Sequence, residues 1–403
     1  MALMRRVSAA ELRRFLLDRL GLAGPLRPAA DAPRLAADLA MIQIDSIRVT
    51  GLRNHELAWV ARSEAPVADF YAMLYERGEF RETHYPISAV RRDWVPLLSS
   101  AFLDPKPSWR QSRRRLLPLM RKVEAQIRET GPVGPADFVS HRIPGGFNTV
   151  KATTMALEHL FMDRRLQISG RTAHFHRLFD LSERALPELA DWQPPPPADY
   201  ERFLLRSALQ VLKIATPRQW AERVALHYGY WRGASIKRWR DLTDAAAPEI
   251  AEPIEVVDLP DRPIYWHLPE DAAGWDAAGR DSDPADAPAR IVPPLDNLLF
   301  SRERFTALFG HDYKFEAYTP VTDRRFYFAM PVIHGDRLAA LLDAKRADGE
   351  WRIVGFHGFE QLPADRFREA VHRLASLAGA ARVTATTRLP RELRRAVVGK
   401  IAE

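Results

Sequence analysis

Hydrophobic and polar positions divide the chain into stretches of helical and of alternating period. Apolar residues recur at helical spacing over 8–21, where Ser8 and Glu11 stand three apart as a capping box, and again over 32–42. At Gln43 the helical period gives way to a β-branched run from Ile44 to Thr50, followed by a helix over 66–77 and an extended segment over 79–90. These elements predict a small helix-rich unit with strands at its end. The stretch 106–128 keeps Leu116, Leu119, Val123 and Ile127 on one face and is densely basic elsewhere, a surface helix.

A short helix over 131–139, a Gly-rich loop over 143–147 and a helix over 148–163 come next. A stretch alternating around Ser169-Gly170 then reads as a hairpin over 166–182. Helix, short helix, helix, hairpin is the order of a winged helix, with the hairpin as its wing and Arg171, His174, His176 and Arg177 at the basic tip. QPPPPAD over 193–199 is a stiff linker, beyond which helices over 199–212, 216–227 and 233–244 and strands over 253–258 and 263–268 repeat the order. Residues 271–290 read as a loop. Short alternating strands over 314–320, 324–334, 337–344 and 351–357, a helix over 362–378 and a strand over 380–386 predict a small β-barrel or curled sheet. The fold class is therefore α+β, with units at 1–105, 106–192, 199–270 and 291–403.

Composition narrows the function. Hydrophobic residues make up 46% and charged residues 28%, as in a folded globular protein. The net charge of +7 and the excess of arginine over lysine suit a polyanionic partner, although arginine excess also follows from a GC-rich genome. With no cysteine, disulfides, iron–sulfur clusters, thiolate zinc sites and thiol nucleophiles are excluded. No signal peptide or transmembrane stretch is recognisable, so a cytoplasmic location is expected. Trp94, Trp109, Trp220, Trp231 and Trp239 read as packing residues rather than base-stacking ones.

Alternation after the second helix puts Gln43 and Asp45 on one side and Ile44 on the other. Alone, a Q-x-D triplet says little. Its surroundings, LAMIQIDSIRVTGLRNHELAWVARS, resemble the signature stretch of the winged-helix alkylpurine DNA glycosylases typified by AlkZ and YcaQ. GPVGPADF, LEHLF with the hairpin ending in LFDL, PPLDNLLFSRERFTALFGHDYKFEAYTP and LLDAKRADG follow in the family's order, so the resemblance runs from about Leu12 to about Val383.

The resemblance implies about three winged helices and a C-terminal β-barrel, forming a C-shaped clamp around duplex DNA. It also implies catalytic roles for Gln43 and Asp45; the aspartate is nearer the YcaQ branch than the AlkZ branch, which has a second glutamine there. The implied reaction is hydrolysis of the N-glycosidic bond of guanines alkylated on the imidazole ring, including those in interstrand crosslinks, by a monofunctional, monomeric enzyme. The chemistry suits these residues. A cationic guanine is already a good leaving group, so Asp45 has to stabilise an oxocarbenium sugar and activate water, while Gln43 orients that water. No metal or other cofactor is required.

Arg53 and His55 match basic positions of the signature stretch and are expected near the DNA or the site, with His55 alternatively capping the next helical turn. His84, Lys151, Arg171 and His174 are the other expected DNA contacts. Tyr85 stands where the YcaQ branch has a glutamate after the histidine, and Leu342 where the family has arginine before Asp343. Asp296-Asn297 reads as a turn that bonds its own backbone. The competing reading is a winged-helix DNA-binding protein or regulator without catalysis, which would leave footprints on DNA and release no base.

Overall fold

Strand β1 (Arg5–Val7) leads into helix α1 (Ala9–Arg19), and a computed structural model describes the chain over residues 4–83, 87–99, 107–144, 149–189, 191–226, 235–278 and 286–401. The expected capping box starts α1: the Glu11 N–H donates to the Ser8 hydroxyl at 3.2 Å, and the Ser8 N–H donates to the Glu11 carboxylate at 2.7 Å. Helix α2 (Ala32–Leu39) stops where Ala40 takes a φ of 63°, and the chain turns into β2 (Met41–Gln43). The strand expected over 44–50 does not form. Although the Ile44 N–H still donates to the Ile87 carbonyl, the Asp45 carboxylate captures the Ile47 N–H at 2.7 Å, a local bond that competes with strand pairing.

Helix α3 (Asn54–Val60) follows. Helix α4 (Val67–Tyr71) runs on through a wide π-type turn, Ala72–Glu76, to strands β3 (Phe80–Thr83) and β4 (Ser88–Arg91) and helix α5 (Val95–Ser99). The sheet order is β2-β4-β3, antiparallel throughout, with Gln43 opposite Ser88 and Glu82 opposite Ala89.

The second unit consists of α6 (Pro107–Thr130), a small hairpin of β5 (Arg142–Pro144) and β6 (Thr149–Lys151), α7 (Ala152–Met162), the hairpin β7 (Leu166–Arg171) and β8 (Arg177–Leu181), and α8 (Ser182–Ala185). It has its own core of Met120, Val123, Ile127, Leu157, Leu160 and Phe179. The third unit consists of α9 (Pro197–Leu212), α10 (Pro217–Val224), α11 (Ile236–Ile250), β9 (Glu252–Val256) and β10 (Ile264–His267). It does not stand alone, because β1 pairs in parallel with β9. Trp94, Trp220 and Trp239 are buried and Trp109 packs against the second core; Trp231 lies outside the described residues.

After α12 (Gly274–Ala278), a C-terminal sheet begins with β11 (Ala289–Ile291), separated by α13 (Arg302–Phe309) from β12 (Met330–His334), β13 (Arg337–Ala347) and β14 (Glu350–Gly358). Helix α14 (Ala364–Leu377), β15 (Arg382–Ala385), α15 (Arg391–Val397) and β16 (Gly399–Lys400) complete it. The order β11-β12-β13-β14-β15-β16 is open, a half-barrel: of the barrel or curled sheet expected, the sheet curls without closing.

Residues 314–320 form turns, not a strand, and only the end of 324–334 is extended in the sheet. Within 324–334 the Asp343 carboxylate on β13 takes the Tyr327 N–H at 2.7 Å and the Phe328 N–H at 3.4 Å, amides a neighbouring strand would otherwise bond. One continuous core joins this sheet to the first unit. Gly51 marks the contact: its φ is +92°, and a Cβ there would lie 2.7 Å from the Arg346 side chain and 2.8 Å from Ala378.

Candidate active site

Gln43 ends β2 and Asp45 begins the irregular segment behind it. Burial alternates across the triplet: Gln43 and Asp45 are half-buried, while Ile44 points into the core at 5% exposure. Two contacts fix the backbone here. The Asn54 side-chain amide donates to the Gln43 carbonyl at 3.0 Å and to the Leu295 carbonyl at 3.3 Å, and its oxygen accepts the Leu295 N–H at 2.9 Å. Asn54 is itself 1% exposed, so a single buried amide ties the triplet to the segment entering the C-terminal unit.

The Asp45 carboxylate forms no ion pair among the described residues. One oxygen holds the Ile47 N–H. Across from it stands Tyr318, 83% exposed on the turn segment before β12; loss of solvent on one side of its ring, and then the Asp45 charge, push the phenol's pKa up. Val321, 74% exposed, and Arg324, stacked over Tyr327 at 4.8 Å, lie on the same segment. A half-solvated carboxylate beside an amide can attract a cationic sugar and hold a water. Among the described residues no three or more His, Asp or Glu side chains cluster as metal ligands would.

Behind α3 the other expected residues follow a different plan. His55 is fully buried, with Nε2 2.8 Å from the Tyr71 hydroxyl; burial, and then the charges of Arg171 and Arg53, hold its pKa well below the usual histidine value. It neither reaches solvent nor caps a helix. The Arg53 guanidinium pairs with Glu56 at 3.1 Å and lies 4.0 Å from the Phe175 ring centre.

Arg171, expected to touch phosphate, instead turns inward. It pairs with the fully buried Glu82, donates to the Tyr75 hydroxyl at 3.2 Å, and also lies 4.0 Å from the Phe175 ring centre. An uncompensated Glu82 carboxylate at that depth would be costly, which accounts for the inward rotamer. Arg177 likewise pairs with Glu158. His174 and His176 remain exposed at the hairpin tip. Lys151 is half-buried before α7 and donates to the Pro135 carbonyl at 3.4 Å. His84 and Tyr85 lie outside the described residues.

The structure thus brings Gln43, Asp45, Arg53 and His55 to neighbouring positions and leaves Lys151 and His174 on the second unit. Sequence reasoning missed Asn54, Phe175, Tyr318 and the carboxylates Glu56 and Glu82. Nothing in the spacing of Asn54 or Glu82 said that they bond to Leu295 and Arg171 of other units.

A family model described as DNA glycosylase AlkZ-like matches residues 36–380, a span that includes the triplet, the second and third units and most of the half-barrel. The protein is accordingly an enzyme of DNA repair, a DNA glycosylase. More particularly, it belongs to the AlkZ-like DNA glycosylase family. Among solved structures it is similar in fold to the Streptomyces sahachiroi DNA glycosylase AlkZ, with a TM-score of 0.60 and 17% identity over 94% of this chain and 99% of that one.

Proposed function

We propose that the enzyme hydrolyses the N-glycosidic bond of N7-alkylguanine-type lesions in duplex DNA and unhooks interstrand crosslinks of the same chemistry. Asp45 stabilises the oxocarbenium sugar and accepts a proton from the attacking water, and Gln43 orients that water. The reaction is monofunctional: water is the nucleophile, and no lysine forms a Schiff base. The observation that carries this reading is the half-solvated Asp45 carboxylate, unpaired with any cation among the described residues, next to a glutamine whose backbone is pinned by Asn54.

Alkylation on the imidazole ring makes the base cationic, so the leaving group needs little acid, consistent with a site whose one titratable member beside the glutamine is an anion. Tyr318, exposed within the field of the Asp45 carboxylate, supports a surface that meets bases without enclosing one in a pocket, which a crosslinked base could not enter. The aspartate at the second triplet position favours kinship with the YcaQ branch. The order of α6, α7 and the β7–β8 hairpin supports a winged-helix reading of the second unit, with His174 and Lys151 as its DNA contacts, and a monomer acting in the cytoplasm completes the picture. No helix among the described residues is long and apolar enough to cross a membrane.

The test is base release from a duplex oligonucleotide carrying one N7-methylguanine, scored as alkali-labile abasic sites under single turnover. Asp45→Asn is expected to slow release by about a hundredfold or more, the scale of losing one charge-stabilising group. Equal release by wild type and Asp45→Asn overturns the assignment.

A further inference from the structure

The hairpin tip of the second unit penetrates the first unit at the back of the triplet. There two guanidinium groups, those of Arg53 and Arg171, each lie 4.0 Å from the Phe175 ring centre, and the ring stacks on buried His55 with ring centres 5.4 Å apart and 14° between planes. Two cations on one ring would repel unless each had its own anion. Each has one: Glu56 serves Arg53 and Glu82 serves Arg171.

Each carboxylate also accepts from a tyrosine, Tyr71 to Glu56 at 2.6 Å and Tyr75 to Glu82 at 2.8 Å, and the two phenol rings stack 6.2 Å apart. Phe175 itself has a φ of +68°, a conformation that a bulky side chain keeps only where its surroundings impose it. Here the Phe175 N–H bonds to the Thr172 carbonyl and Arg171 Nη1 holds the Phe175 carbonyl, both at 2.8 Å.

The two arms of this arrangement end on the elements that flank Gln43. Arg53 immediately precedes α3, and the next residue, Asn54, bonds the Gln43 carbonyl. Glu82 lies on β3 opposite Ala89 of β4, and Ala89 in turn lies opposite Ile42, the residue before Gln43. Gripping Glu82 therefore fixes one edge strand of the sheet, β3, and gripping Arg53 fixes the start of the helix that bonds to the other edge strand, β2.

We propose that Phe175, with Arg53 and Arg171, is a positioning residue for the glycosylase reaction: the wing tip clamps α3 and β3 together and so sets the place of Gln43 and Asp45. The clamp touches no reacting atom. It also gives the tip two faces, Phe175 turned inward and His174 and His176 exposed, so the element that reaches toward solvent is the one that holds the triplet. This inference rests on the roles proposed above for Gln43 and Asp45.

The experiment compares Phe175→Ala, Phe175→Leu and Phe175→Tyr with wild type and Asp45→Asn on the N7-methylguanine duplex. It measures the single-turnover rate at saturating enzyme, the Kd for the same duplex and the thermal midpoint. A positioning role predicts that Phe175→Ala and Phe175→Leu lose about tenfold or more in rate while Kd stays within about twofold, the signature of misplaced rather than missing groups. Phe175→Tyr, which keeps an aromatic face for both guanidiniums, is expected to restore the rate. Leucine fills nearly the same volume without a π face, so a purely packing role predicts equal rescue by leucine and tyrosine, and that result overturns the proposal. So does a wild-type rate in Phe175→Ala. Should Phe175→Ala not fold, the leucine and tyrosine pair decides alone. Full activity in Asp45→Asn would instead overturn the reading of the site, whatever the Phe175 variants do; an inactive Asp45→Asn beside a fully active Phe175→Ala overturns the clamp only.

Discussion

His159 is 2% exposed on α7, with its Nε2 3.0 Å from the Ser112 hydroxyl and its ring edge-on to Trp109 at 4.6 Å. Burial depresses its pKa to about 4. In the unfolded chain the imidazole takes up a proton at its ordinary value near 6.5, so the neutral, folded form has its full stability above that pH. Stability is lost as pH falls from about 6.5 toward about 4, by up to about 3 kcal/mol if His159 acted alone. Urea midpoints for wild type and His159→Gln at about pH 7.5 and about pH 4.5 check this: the variant's pH dependence is expected to be flatter. His55 is shifted in the same direction, so its imidazole is expected to stay neutral between about pH 6 and 8 and to contribute no limb to the pH–rate profile. Histidine carbon-13 resonances followed across that range check it, with one resonance, assigned through His55→Gln, expected not to titrate.

Between elements, the strongest tie is also the driest. Arg62, just past α3, is 0% exposed at its side chain and grips Asp296 with two bonds of 2.7 Å, and the same carboxylate accepts the Leu298 N–H at 3.0 Å. The Asp296-Asn297 turn predicted from sequence is present, with Asn297 donating to the Leu39 carbonyl at 3.1 Å, but its larger role is to neutralise a guanidinium 234 residues away in the chain. Removing the anion while leaving Arg62 buried should cost about 3–5 kcal/mol, whereas a surface pair such as Arg218–Glu222 should cost less than about 1 kcal/mol. Chemical denaturation of Asp296→Ala against Glu222→Ala measures the contrast. Local signals such as the Ser8 cap, the hairpin at 166–182 and the burial of Ile44 were legible in sequence because each depends on residues a few positions apart. The direction of Arg171 was not, since the hairpin pattern is the same whether its basic tip meets phosphate or a buried Glu82; the partner lies 89 residues away. The missing strand over 44–50 had the same origin, a side-chain bond from Asp45 that β-branched composition does not reveal.

Across the whole molecule, chain order and packing order disagree. The proline stretch at 193–199 looked like a boundary, and in sequence it is one, yet the residues before it depend on those far beyond it. Strand β1 finds its partner in β9, Arg13 donates to the Leu308 carbonyl at 3.0 Å and pairs with Asp336 at 3.1 Å, Arg62 pairs with Asp296, and the Thr50 carbonyl accepts the Trp351 indole N–H at 3.1 Å. The core around α1–α3 is completed by side chains of the half-barrel, including Phe305, Val332 and Trp351. By contrast the unit from α6 to α8 encloses a core drawn from its own residues, with Tyr75 alone among the described residues packing in from outside it. A fragment ending at residue 192 is therefore expected to fold its second unit and not its first. Hydrogen exchange on that fragment should find protected amides in α6, α7 and β7–β8 and rapid exchange in α1 and α3, whereas the full chain protects all five elements. Protection of α1 in the fragment would mean that the first unit carries its own stability. The proposed site at Gln43 and Asp45 would then owe its geometry to the first unit and the β7–β8 hairpin, with the half-barrel serving as a wall. Loss of protection there means instead that the triplet is built at the meeting of both ends of the chain, and that its geometry depends on the half-barrel as much as on the strand that bears it.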